Sequence, residues 1–352
     1  MNGHALLLPL LLAPAAAPAG QQGGVRLERR VEAMGTVLDL ELEAADRAEA
    51  LAASEAAFAA LRAVEARLST WREDSELARL NATPTGYPFR PSPELAAWLE
   101  RAFHWRDLTG GAFDPSLGAL VTAWDLRGAG RVPGPEELER ARAACGAEAW
   151  SLHLPDMLVR RSPDVRLEEG GFGKGAGLDT ALDALRKRGV RRARLDLGGQ
   201  LALLGEGRPW SVELAHPDAR GRALLRLELD GGSLATSGNS ERGRDVGEER
   251  VGHLLDGRSG RPAPDFGSAT VWTSTALDAD CLSTAAFVLG PEAGPSRMAA
   301  LPGVEALWIL RGAERPRGIA TEGLRGRLFP LDPKFEVEWI PTPSPPPLSG
   351  ER

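Results

Sequence analysis

Cysteine is nearly absent from this chain. Cys145 and Cys281 are its only two. They lie far apart, outside any Cys-x-x-Cys pair and away from any metal-spaced histidine, so a disulfide framework and a thiolate metal centre are both excluded. Two small, buried, apolar side chains are the expectation. A basic run is also missing. The formal net charge is −7, which argues against a protein that grips a phosphate backbone, and no nucleic-acid partner is expected. Beyond the first twenty residues no apolar stretch approaches the roughly 20 residues a spanning helix needs, so no transmembrane segment is expected. No repeat of fixed period is present.

What remains is ordinary globular material. Of 352 residues, 43% are apolar and 26% charged, enough for one large domain, or two intimately joined ones, with a full core. Residues 1–20 differ from the rest. Ala5–Ala17 contains only Leu, Ala and Pro, and Ala17-Pro18-Ala19 looks like a small-residue cleavage site. This reads as a secretory signal peptide, although His4 is the only basic side chain before the apolar run. Export to the periplasm or cell envelope is the expectation, without a lipid anchor, since no cysteine follows the run. A single domain is expected over residues 25–330, and a Pro/Ser-rich tail over residues 341–352.

The periodicity mixes strands and helices without strict alternation. An α+β fold with mixed or antiparallel sheets and flanking helices is therefore expected, rather than a doubly wound sheet. Val25–Leu42 reads as strands turning near Met34-Gly35-Thr36. Ala48–Leu68 reads as a helix with Leu51, Phe58, Leu61 and Leu68 on one face. Ser92-Pro93 opens another helix, with Leu95, Trp98, Leu99 and Phe103 inward, and Pro135–Ala144 forms a short one. The loop Gly170-Gly171-Phe172-Gly173-Lys174-Gly175 leads into a helix with Leu178, Ala181, Leu182 and Leu185 inward, ended by Gly189. Thr275–Leu289 is a helix stopped at Gly290.

Four features carry possible chemistry. The Gly-rich loop offers backbone N–H groups, a helix start and Lys174 to a phosphate. It matches neither the Rossmann nor the Walker pattern, and a tight packed turn explains it equally well. Asp280 and Thr284 are four apart, on a face shared with Leu277, Cys281 and Val288. A buried carboxylate needs a partner. Mg²⁺ with oxygen ligands would serve; so would a nearby arginine, or a neighbouring helix that the carboxylate caps. His253, in Gly252-His253-Leu254-Leu255-Asp256, is either a general base or a structural histidine. Trp71, in a polar loop, either stacks on a planar ring or plugs the edge of the core.

The order of short segments adds to this. Met34-Gly35-Thr36, Ser69-Thr70-Trp71 through Asn81 and Gly111–Pro115 come first. The Gly-rich loop with Lys174, Asp196-Leu197-Gly198-Gly199 and Ala235–Gly238 with Glu241-Arg242 follow. His253–Gly260 and Asp280–Ala285 come last. The set resembles the ApbE family of flavin transferases over roughly residues 25–320. The resemblance implies an ApbE-like flavin transferase fold. It also implies magnesium-dependent transfer of FMN from FAD, the substrate, to a threonine hydroxyl of an acceptor flavoprotein, with release of AMP. Met34, Trp71, Ala112, Phe113, Asp114, Glu168, Lys174, His253 and Leu254 are implied FAD contacts. Asp280, Thr284, Ser283 and the carbonyl of Gly171 are the implied Mg²⁺ ligands. Lys174 and His253 would act in catalysis. FAD hydrolysis and flavin binding without catalysis are the alternatives. The sequence departs from the family pattern at Glu168-Glu169 in place of Asp-Leu, at Gly173 for Ala, at Ala176 for an aromatic, at Asn239 for Asp and at Gly257 for Pro.

Overall fold

Val25–Ala33 and Thr36–Ala44 alternate inward and outward residues and pair as an antiparallel hairpin. Its two-residue turn is Met34-Gly35, with φ of 50° and 71°. Positive φ at both positions matches the twist of a tight hairpin. In the computed structural model, which describes residues 24–239, 244–246, 249–312 and 315–343, this hairpin opens a nine-stranded sheet. The order is Val25–Ala33, Thr36–Ala44, Arg192–Leu197, Gln200–Leu204, Gly232–Gly238, Gly267–Thr273, Glu305–Leu310, Arg317–Thr321 and Val337–Ile340. All neighbours are antiparallel except the last pair. The expected signal peptide, Glu241-Arg242 and residues 344–352 of the tail lie outside the described residues.

Seven helices accompany the strands among the described residues: α1 (Arg47–Leu68), α2 (Glu76–Ala82), α3 (Pro93–Leu108), α4 (Gly118–Ala123), α5 (Pro135–Ala143), α6 (Gly173–Lys187) and α7 (Ala276–Ala299). Their starts are capped as the side chains dictate. Asp46, Ser75 and Ser92 each accept a hydrogen bond from the backbone N–H three residues on, satisfying donors the helix leaves open. None of the helices is long and apolar enough to cross a membrane.

Alternation along the central strands sends side chains to two different layers. Ala202 faces a cluster built from α1 and α6, with Phe58, Leu61, Leu182 and Leu185. Leu201 and Leu203 face the other way, with Leu307 and Ile309. They are covered there by a three-stranded sheet of Trp210–His216, Ala219–Leu229 and Leu328–Pro330. Trp308 turns back toward α7 and the helical side. The α+β architecture expected from the sequence is the one observed.

Three local expectations need correction. Leu51 is 39% exposed; the buried stripe of α1 runs through Ala50, Ala53, Ala57, Phe58, Leu61, Val64 and Leu68. Gly173 already begins α6, so Lys174 sits in a helical first turn and not in a free loop. Gly290 interrupts α7, at φ 71°, but a second helical segment continues to Ala299.

Candidate active site

The site is assembled where α6 and α7 begin. A Cβ on Gly175 would lie 2.3 Å from the carbonyl oxygen of Ala276 and 2.5 Å from Cα of Leu277. Only glycine permits this approach. One turn later on α6, Asp179 accepts from the N–H groups of Ala276 at 2.7 Å and Leu277 at 2.9 Å. A carboxylate at a helix start is favoured by the helix dipole. Burial nonetheless pushes Asp179 up to about 6, against those two hydrogen bonds.

This contact sets the register of Asp280. Its Oδ1 accepts from Nζ of Lys174 at 2.9 Å and its Oδ2 from the N–H of Gly175 at 3.0 Å. Asp280 is buried, as its neighbours on the helix face implied. The sequence left a metal, an arginine or the capping of a neighbouring helix open; the carboxylate pairs with a lysine and takes an N–H of the first turn of α6. The arginine belongs to Asp278, which receives both Nε and Nη2 of Arg101 at 2.6 and 2.8 Å and the indole N–H of Trp105 at 2.5 Å. Burial raises the Asp278 carboxyl, but Arg101 and Trp105 outweigh it and hold the group below its ordinary range.

Gly171 meets Thr284 in the same place. A Cβ on Gly171 would stand 3.0 Å from the ring of Phe113 and 3.5 Å from Oγ1 of Thr284. Gly171, Asp280 and Thr284 are therefore brought together. Ser283 faces the sheet instead: its hydroxyl lies 3.0 Å from that of Ser237 and donates to the carbonyl of Asp280 at 3.1 Å. A hydroxyl that donates one hydrogen bond keeps lone pairs that a cation could use. Among the described residues no group of three His, Cys, Asp or Glu side chains is placed to hold a metal. The assembled set instead has one carboxylate with hydroxyl and carbonyl oxygens. These are hard donors of the kind Mg²⁺ takes when substrate phosphates complete its shell.

Met34 lies across α6. Its Sδ is 2.8 Å from where a Cβ on Gly177 would be, and its Cε 3.7 Å from the same point on Gly173. The neighbouring turn is Gly198-Gly199, whose Gly198 N–H donates to Val37 at 3.1 Å while Asp196 accepts from Gly199 at 2.9 Å. Two motifs far apart in sequence thus form one edge above the start of α6.

Ala112, Phe113 and Asp114 are all buried. Asp114 accepts from the N–H and hydroxyl of Ser116 at 2.8 and 2.5 Å and from Arg106 at 3.2 Å. Its carboxyl is raised by burial, against those bonds. Beside it, Arg106, Gly110, Gly111, Gly257 and Arg258 line a cleft of about 290 Å³. His253 is half-buried and follows Gly252, which packs against Asn239, two residues beyond Ser237. Leu254 accepts from Ala263 at 2.8 Å.

Trp71 plugs no core edge: it is 71% exposed. The guanidinium of Arg127 lies 4.8 Å from its ring centre and donates to Glu168 at 2.6 Å. Burial pushes Glu168 up to about 7, opposed by Arg127 and reinforced by Glu169. Glu169 accepts from the N–H and hydroxyl of Thr70 at 3.1 and 2.6 Å. Sequence reasoning missed Asp179 and Arg127. Asp179 could have been found, since it lies one helical turn past Gly175; Arg127 sits in a turn without periodicity and gave no signal.

An α+β fold in which a lysine at a helix start meets a carboxylate beside a threonine hydroxyl suits a phosphate-handling protein. The model of the ApbE family matches residues 34–308, and the chain belongs to that family. A Treponema pallidum protein named FAD:protein FMN transferase is 33% identical over 313 residues, covering 83% of this chain and 85% of its own. The solved structure of the flavin transferase ApbE from Vibrio cholerae superposes with a TM-score of 0.76 at 27% identity, covering 87% of this chain and all of that one. The apo flavinyl transferase ApbE of Pseudomonas stutzeri gives 0.76 at 26% identity, with 86% and 97% covered.

Proposed function

We propose that this protein transfers FMN from FAD to a threonine hydroxyl of an acceptor protein, with Mg²⁺, and releases AMP. The observation that carries the reading is the joint start of α6 and α7, which sets Lys174 against Asp280 at 2.9 Å and turns Gly171 toward Thr284. The relatives named FAD:protein FMN transferase supply the substrate class.

The residues divide the work as follows. Asp280, Ser283, Thr284 and the carbonyl of Gly171 would hold the cation. Bound magnesium would supply positive charge to the pyrophosphate oxygens as the bridging bond breaks. With Asp280 on the cation, the ammonium of Lys174 would be available for the phosphate. The start of α6 adds its dipole. Met34 and Trp71 border the space for the rings, and His253 takes the proton of the attacking threonine. The threonine oxygen bonds to the phosphorus on the FMN side, the phosphorus–oxygen bond to the second phosphate breaks, and AMP leaves. Positioning and charge account for most of such a rate.

The test is incubation with FAD, Mg²⁺ and a threonine-bearing acceptor, followed by mass measurement of the acceptor. A gain of one FMN phosphoester, matched by AMP, is expected. FMN and AMP released with an unmodified acceptor would make the protein a pyrophosphatase and overturn the transfer reading.

A further inference from the structure

We propose that Arg127 is a positioning residue for the flavin site, clasping one face of Trp71 so that the other face is presented to a planar ring of FAD. The proposal rests on the reading above that FAD is the substrate. It starts from an anomaly: an indole 71% exposed on a loop that belongs to no helix or strand. Left alone, such a side chain would rotate among its rotamers. Here it has a backing. The guanidinium of Arg127 stands 4.8 Å from the ring centre.

Arg127 is itself held on several sides. It donates to the carbonyl of Thr70 at 3.2 Å, to the hydroxyl of Thr70, and to Glu168 at 2.6 Å. Glu169 takes the N–H and hydroxyl of the same Thr70. This accounts for the carboxylate at position 169, the departure that has no other evident use. The turn that carries Arg127 is fixed as well. Trp124 is buried and donates to the carbonyl of Gly260 at 2.8 Å. Asp125 adopts φ 49°, and its carbonyl accepts from Gly128 at 3.0 Å and Gly130 at 3.1 Å. A planar fork that stacks and donates at once is a property of arginine; lysine offers a point charge and no plane. The clasp therefore joins the Trp71 loop, the turn before α6 and the turn after α4 at the rim of the site.

The experiment is a double-mutant cycle on the full chain: parent, Arg127→Ala, Trp71→Ala and both together. FAD affinity, KM, kcat and melting temperature are measured for each. Arg127→Ala is expected to raise KM for FAD by about two- to fivefold, with a smaller change in kcat, the range a stacked cation supports. Trp71→Ala is expected to raise it about tenfold or more, as loss of a stacking platform does. The double variant should be no worse than Trp71→Ala, because Arg127 acts through the indole. Arg127→Lys should behave as Arg127→Ala, and it serves as the test should the alanine variant not fold. Single effects that multiply in the double variant, an unchanged KM in Arg127→Ala, or full rescue by lysine would each overturn the clasp while leaving the flavin reading intact. A parent that fails to bind FAD would overturn that reading, and the clasp with it.

Discussion

Two carboxylates on one helix, two residues apart and both buried, are treated in opposite ways. Asp278 is 5% exposed and Asp280 4%, so exposure does not separate them. Their partners do. Asp278 is gripped by a two-pronged arginine and an indole N–H, a planar arrangement that occupies both oxygens and has no alternative use. Asp280 meets a lysine and one backbone N–H. A lysine is a point charge on a flexible stem and can swing away when another cation or an anion arrives. The first pair belongs to the framework; the second can be exchanged.

The sharpest way to break this comparison is to remove each carboxylate. Asp280→Ala should abolish flavin transfer, a loss on the order of a thousandfold or more, because both the carboxylate proposed to hold the cation and the seat of Lys174 disappear. The fold should be little affected, since the half-buried Lys174 can reach water. Magnesium with FAD should raise the melting temperature of the parent and not of the variant. A variant that keeps the full metal-dependent shift would place the ion elsewhere. Asp278→Ala should do the reverse. It leaves Arg101 and Trp105 without an acceptor and should cost about 2–3 kcal/mol in urea unfolding. That is below the 3–5 of a fully buried pair because the Arg101 side chain is 44% exposed. Magnesium should still stabilise this variant. Equal stability losses from the two substitutions would erase the distinction.

The sequence disclosed Asp280 in part and left Asp278 unmarked. Asp280 and Thr284 could be read from their spacing, and the burial of their face from Leu277, Cys281 and Val288. The partner of Asp280 could not. Lys174 is 106 residues away, and the meeting depends on the close approach at Gly175, which no periodicity reports. The α+β class was legible because strand alternation and helix spacing are local signals. The misplaced Leu51 shows the limit of such signals: the buried stripe of α1 is carried largely by alanines, which a search for large apolar residues passes over. Arg127 was hidden for a different reason. Its role comes from three loops meeting, and loops carry no period.

A third carboxylate at the same helix start extends the comparison, and its effect is the smallest. Among the described residues Asp179 has no cationic partner; two backbone N–H groups donate to it. Burial therefore wins and raises it from 3.8 to about 6, while Asp278, with Arg101, moves the other way. The signs separate in pH. An acid whose folded value is raised holds its proton in the native state where the unfolded chain has released it. The stability this contributes is complete below the ordinary value and disappears as pH rises through about 6. Asp278, being lowered, contributes stability above its ordinary value and loses it only in acid. Urea midpoints for the parent should therefore decline from pH 4 to pH 7 through Asp179, and through Glu168, which is raised from 4.5 to about 7. They should decline again below pH 4 through Asp278. Asp179→Asn removes the titration, so the slope between pH 4 and 6 should flatten by about 1–2 kcal/mol while the acid limb stays. Asp278→Asn should flatten the acid limb alone. If Asp179→Asn leaves the slope between pH 4 and 6 unchanged, the two backbone N–H bonds offset the burial and the carboxyl of Asp179 is not raised.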